Sequence, residues 1–319
     1  MTLVGSPSPD DTGPITTDEP GFSLITDEFG EGMLLSGFVD QGSLIMVGGD
    51  LGGGAGMIAR YTGDSLCLEG EAPTDKAIWW IHGDGSGEWF AVGADGLILH
   101  EKDGIRTRED VKTSATFFGV WMSSQDEVWA VGGSISAGTG EIWKRSTADG
   151  WQQVKANLDG VMFKVWENWF VGVESSYHLE SDILVPYTTQ ARLTTVRGYA
   201  DDDVYAIGGS SSVELQHFDG TTWNDIDLDG DWGVGAGLWT EPGADVWLAG
   251  TSGFMGYYNA GELVTPDFPL TNNTFHAVWP FQDEMIFIGG NFLTSGEDYF
   301  SVLGRYGNGK KLLTAEICQ

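Results

Sequence analysis

The sequence predicts an all-β fold, a seven-bladed β-propeller of four-stranded antiparallel blades. Three observations carry that expectation. A short phrase recurs along the chain: "DEVWAVGG" at 126–133, "DDVYAIGG" at 202–209, "ADVWLAG" at 244–250 and "EMIFIGG" at 284–290. Aligned on its glycine, it occurs seven times, at Gly48, Gly93, Gly132, Gly172, Gly208, Gly250 and Gly289. The intervals are 45, 39, 40, 36, 42 and 39 residues, the period of a propeller or solenoid. Finally, each copy resolves into short β-branched and aromatic runs bounded by Gly, Asp and Ser, with no useful helix-period stretch.

The first strand of each copy is an apolar run, such as "FFGVW" at 117–121, "MFKVW" at 162–166 or "FHAVW" at 275–279. A polar turn follows, and the glycine phrase is the second strand. Its glycine is expected where that strand ends and the chain turns beside its neighbours. The third strand reads "LILHEKDG" at 97–104 or "VELQHFDG" at 213–220, and an Asp-Gly-type turn leads to a fourth, "TTWNDIDL" at 221–228. The last repeat is expected to own four strands, ending in "KLLTAEIC" at 311–318. "FSLIT" at 22–26 is expected to add an outer strand to that blade and fasten the ring, so that no sheet edge is left open.

These repeats resemble the BNR/Asp-box-like, photosystem-assembly-factor-like propeller repeats of bacterial proteins. "HFDGTTW" at 217–223 carries the likeness best; "RYTGDSL" at 60–66 and "RYGNGKK" at 305–311 are looser versions. The resemblance spans residues 33–318 and implies the fold. Sialidases belong to that family, but their cluster of arginines is not evident here, and their chemistry is not carried over.

Residues 1–20 are polar, rich in Pro, Thr, Asp and Gly, and are read as a disordered linker, such as remains after a signal or lipid-anchor segment is removed. Residues 21–319 form the single propeller domain, and an extracytoplasmic (secreted, periplasmic or surface-anchored) monomer is expected. No apolar run approaches the roughly 18 residues that would span a bilayer. With 47 acidic against 15 basic residues the net charge is −32. That excludes nucleic acid and anionic membranes as natural partners. The surplus carboxylates keep the surface solvated or offer a calcium site; no other cofactor is implied. "ADDDVY" at 200–205 looks like a calcium loop, but its equivalents in other copies are ordinary turns. Cys67 and Cys318 lack metal-ligand spacing, and sequence alone leaves their pairing open.

Comparison between copies singles out the pattern-breakers. Trp121, Trp166, Trp239 and Trp279 share the end of the first strand, where His82 and Arg197 intrude. Two positions earlier most copies are small (Ser36, Gly119, Thr195, Gly237, Ala277), but Trp80 and Lys164 are not. His100 and His217 match Arg60, Lys144 and Arg305, a repeated structural contact; His276 matches Phe118 and Phe163 and reads as a packed imidazole. In the fourth copy "VWENWFVG" at 165–172 runs almost straight through its first turn, and the loop "VESSYHLESD" at 173–182 presents Tyr177 and His178.

Catalytic fingerprints for esterases, zinc peptidases, nucleotide or dinucleotide binding are missing. The leading expectation is therefore a binding or scaffold protein. It would recognise a glycan, peptide or partner protein on one face through Trp80, His82, Lys164, Arg197, Tyr177 and His178. The alternative is a hydrolase or lyase at the channel mouth, using His82, Lys164, Arg197 and His178. A purely structural surface protein is the third reading.

Overall fold

The computed structural model describes residues 19–70, 73–187, 189, 192–230, 232–243, 245–292, 298–309 and 312–318. The linker assigned to 1–20 falls almost wholly outside them. Seven sheets form the blades, each built on consecutive antiparallel strands, with one further strand from near each end of the chain added to blades 7 and 1. Blade 1 begins with Met33–Asp40, blade 2 with Ile78–Gly83, blade 3 with Thr116–Ser124 and blade 4 with Met162–Trp166. Blades 5, 6 and 7 begin with Leu193–Ala200, Gly235–Trp239 and Thr274–Phe281. These seven first strands line the central channel. The single helical turn among the described residues is Ala94–Gly96, and no helix there is long and apolar enough to cross a membrane.

Every first strand carries a register shift at the same place. Examples are Leu34/Ser36, Ile78/Trp80, Phe117/Gly119 and Met162/Lys164; blades 5, 6 and 7 repeat it at Leu193/Thr195, Gly235/Gly237 and Phe275/Ala277. A bulge adds one residue and increases local twist. Opposite each bulge stands the phrase's glycine. A Cβ at Gly132 would overlap the carbonyl oxygen of Thr116, and one at Gly208 that of Arg192. The other five phrase glycines meet a carbonyl at, or one residue before, the start of an inner strand in the same way. The glycine stands at or within two residues of the end of the second strand, as expected from sequence, and the structure adds the reason it must be glycine, the close approach of the first strand's backbone.

The ring closes differently from the expectation in one respect. Blade 7 owns three strands, and Gly21–Phe29 supplies the outer fourth, pairing antiparallel with Ser301–Gly307. The segment expected to be the last repeat's fourth strand leaves that blade. Leu313 N–H donates to the Ile25 carbonyl at 2.7 Å, and Glu316–Ile317 then joins blade 1 in parallel beside Leu66–Leu68. A disulfide joins Cys67 to Cys318 at this seam. Both chain ends therefore hold the ring shut.

The third-strand His, Lys and Arg side chains form the repeated contact that the copies predict. His100 stacks on Phe90 with ring centres 4.0 Å apart and bonds Glu88 and Glu109, each at 2.9 Å. His217 stacks on Tyr205 at 4.3 Å and bonds Asp203 at 2.6 Å. Lys144 lies over Trp129 and pairs with Glu127; Arg305 pairs with Glu284.

Candidate functional site

The bulged first strands project three levels of side chains toward the channel. The level nearest the face of the second-to-third-strand loops holds Leu35, Trp79, Phe118, Phe163, Thr194, Ala236 and His276. These are the extra residues of the seven bulges. Next come the mostly small residues, with Trp80 and Lys164. Deepest are Phe38, His82, Trp121, Trp166, Arg197, Trp239 and Trp279.

The deep level is a plug. Arg197 places its guanidinium 4.4 Å from the Trp239 ring, 4.7 Å from Trp279 and 5.1 Å from Trp121. Those rings belong to blades 6, 7 and 3, so the cation of blade 5 stands near the axis. Burial pushes Arg197 down to about 9 against the attraction of Glu167, which leaves it charged at neutral pH. Aromatic faces stabilise such a cation. His82 lies flat on Trp121, ring centres 3.8 Å apart, and its Nδ1 accepts from Met122 N–H at 3.1 Å. Burial, with Arg197 nearby, holds His82 well below the usual histidine range, so it is neutral.

Above the plug the channel opens into a cavity of about 210 Å³. Trp79, Phe118, Phe163 and Phe292 wall it, and Ile135, 69% exposed, stands on its rim. Two titratable side chains reach it. Lys164 Nζ donates to the Phe118 carbonyl at 2.7 Å and rests 4.0 Å from the centre of the Trp80 ring. Burial pushes its ammonium down to about 7. His276 Nδ1 lies 2.7 Å from the Leu35 carbonyl. A carbonyl only accepts, so Nδ1 carries the proton and Nε2 is the basic nitrogen. Burial, followed by the nearby Lys164, holds His276 down to about 3.

The six residues singled out by sequence therefore divide. Lys164, Trp80, His82 and Arg197 all reach the channel, but at two levels: Trp80 lies beneath the Lys164 amine and is 7% exposed, while His82 and Arg197 belong to the plug. Tyr177 and His178 are elsewhere. Residues Ser176–Glu180 are the third strand of blade 4, so the expected loop shrinks to 173–175. His178 pairs with Trp169 across the strands, the register place of His100 and His217. It bonds Asp201 at 2.9 Å and Glu180 at 3.3 Å and packs on Trp169. It is one more repeated contact, hidden in sequence because blade 4 is short. Lys155 lies over the Tyr177 ring. The first turn of blade 4 is also real, reversing over Glu167–Asn168 with Glu167 at φ +47°. The acid–base quartet His82, Lys164, Arg197 and His178 is not assembled.

Sequence comparison passed over Trp79, Ile135, Phe292 and the outlook of His276. A bulge turns adjacent residues toward one side, so two-residue alternation misplaces Trp79 and His276. Two of the three "ADDDVY" carboxylates are engaged, Asp201 with His178 and Asp203 with His217. Among the described residues no group of three or more His, Cys, Asp or Glu side chains is arranged to hold a metal ion.

No family model and no curated protein matches the chain. Solved structures do resemble it. A structure of YCF48 bound to D1 peptide superposes with a TM-score of 0.66 at 16% identity, covering 90% of this chain and 96% of that one. YCF48 from Cyanidioschyzon merolae gives 0.63 at 13%, covering 90% and 98%. The WD40 propeller domain of Doa1 gives 0.63 at 12%, covering 89% and 97%. At such identities the likeness is one of fold: this chain is built as the photosystem-assembly-factor and WD40 propellers are.

Proposed function

We propose that the protein is a non-enzymatic, extracytoplasmic scaffold that holds a peptide segment of a partner protein by seating an apolar side chain in the channel mouth. The observation that carries the reading is the aromatic cavity of about 210 Å³ with exposed Ile135 on its rim. Interface anchors are typically apolar or aromatic groups filling such pockets. The cavity's polar groups are largely used internally. The Thr194 hydroxyl lies 2.8 Å from the Gly235 carbonyl, and the Thr251 hydroxyl accepts from Val234 N–H at 2.9 Å. Little remains for sugar hydroxyls, which favours a peptide over a glycan. The peptide bound to YCF48 supports the same ligand class. The Cys67–Cys318 disulfide supports an oxidising, extracytoplasmic compartment. A ring closed within one chain, by Gly21–Phe29 on blade 7 and Glu316–Ile317 on blade 1, supports a monomer. The Asp-box affiliation rests on the 217–223 hairpin, where Asp219 accepts the N–H groups of Thr221 and Thr222, each at 2.9 Å.

The test is selection of a random-peptide display library on the full chain, with a glycan array in parallel. Enriched peptides should share an apolar residue, and Trp79→Ala or Ile135→Asp should weaken them by about tenfold or more. Peptides indifferent to both substitutions, or hits on glycans alone, would overturn the reading.

A further inference from the structure

Lys164 is anomalous within its own repeat. The six equivalent positions carry Ser36, Trp80, Gly119, Thr195, Gly237 and Ala277. The lysine is 4% exposed, yet it contributes to the wall of the open mouth cavity. Its one hydrogen bond goes to the Phe118 carbonyl, and no carboxylate among the described residues forms an ion pair with it. A buried ammonium without a counter-ion is expensive, whereas a neutral amine is tolerated. Lys164 is accordingly held down to about 7, and a substantial share carries a free lone pair at neutral pH. Desolvation of this kind turns lysine into a nucleophile. The charged and titratable groups around it are few. His276, from the first strand of blade 7, shares the cavity and is neutral; His82 and Arg197, from blades 2 and 5, lie in the plug behind.

We propose that Lys164 is a carbonyl-capturing amine, condensing with an aldehyde on an apolar body that fills the mouth cavity. The inference goes beyond partner binding but rests on the same cavity being open to ligands. The Nζ lone pair attacks the carbonyl carbon as the C=O π pair moves to oxygen. A proton passes from nitrogen to oxygen through water in the open mouth, giving a carbinolamine. A proton from water in the mouth is taken up by the hydroxyl, the nitrogen lone pair forms the C=N bond as the C–O bond breaks and water leaves, and the remaining N–H proton returns to water, so that a neutral imine remains. No oxidant or reductant takes part. The aromatic walls exclude bulk water from the imine, and the Trp80 face beneath Nζ accommodates either charge state.

The experiment treats the full chain with benzaldehyde and sodium cyanoborohydride near pH 7. The hydride reduces an imine to a stable benzylamine, which peptide mapping locates. Lys164 should be labelled at least about tenfold faster than Lys76 or Lys102, which hydrogen bonds to Asp95 and Glu88 hold above the ordinary lysine range. The Lys164 adduct should vanish in Lys164→Met, while surface labelling is unchanged. Label confined to surface lysines and the chain's α-amine would overturn the proposal. The wild-type map decides even if Lys164→Met fails to fold. A chain that binds selected peptides but leaves Lys164 unlabelled overturns this inference alone; labelling without peptide binding overturns the scaffold reading alone.

Discussion

Lys164 and Arg197 are both cations buried in the channel, and each meets the cost of burial in its own way. Arg197 keeps its charge between three tryptophan faces, while Lys164 is divided between ammonium and free amine near neutral pH. The pH consequence follows from the sign of the shift. A lysine held below its ordinary value takes up a proton first in the unfolded chain. The cost of burying it therefore grows as pH falls from the ordinary lysine range to about 7, and is constant below that. Lys164→Met should raise stability by roughly 1–4 kcal/mol near pH 7, and the gain should fade in strong alkali, as read by denaturant titrations across pH. Glu109 runs the other way. Burial raises its pKa, but bonds from His100, Arg145 and Trp151 prevail and hold it at about 2. Its contribution is complete above the usual carboxylate range and lost as pH falls through about 2. Glu109→Gln should cost roughly 1–3 kcal/mol at neutral pH, and the difference should shrink in acid.

At the scale of the element, the bulge and its facing glycine form one unit. Gly132→Ala drives a methyl into the Thr116 carbonyl, against backbone that cannot swing aside. It should cost about 2 kcal/mol or more in equilibrium unfolding. The same unit explains what the repeat showed and what it concealed. The glycine was visible as periodicity, but its reason, a close approach to a neighbouring strand, belongs to the sheet. Strand Gly21–Phe29 is the other decisive element. Phe22 packs on Tyr306 at 4.8 Å and Ile25 is wholly buried. A chain lacking residues 1–29 should expose the edge of Ser301–Gly307 and aggregate on mild heating, seen by light scattering.

At the scale of the molecule, closure and charge dominate. The Cys67–Cys318 bond spans 251 residues of sequence and ties the C-terminus to blade 1. Its reduction, or Cys67→Ser, should lower stability by about 2–5 kcal/mol in thermal unfolding. With a net charge of −32 the compact ring repels itself, so the melting temperature should rise as salt is raised from about 10 mM to physiological strength.

The sequence by itself determined the architecture. Blades 2 to 6 are wholly local, and blades 1 and 7 nearly so, with strands that are neighbours in the chain, and seven copies of one pattern reveal what any single copy leaves ambiguous. It also marked Lys164, Trp80, His82 and Arg197 as departures from that pattern, and all four reach the channel. The tertiary structure alone decided the depth at which each of them sits, because depth depends on where seven strands converge. It alone separated Tyr177 and His178 from the channel, since strand register counts pairs and not residues along the chain. It gave Trp79 and His276 to the mouth through a bulge that alternation cannot foresee. It also paired the two cysteines and sent the last strand to blade 1, contacts between chain ends that no local pattern records.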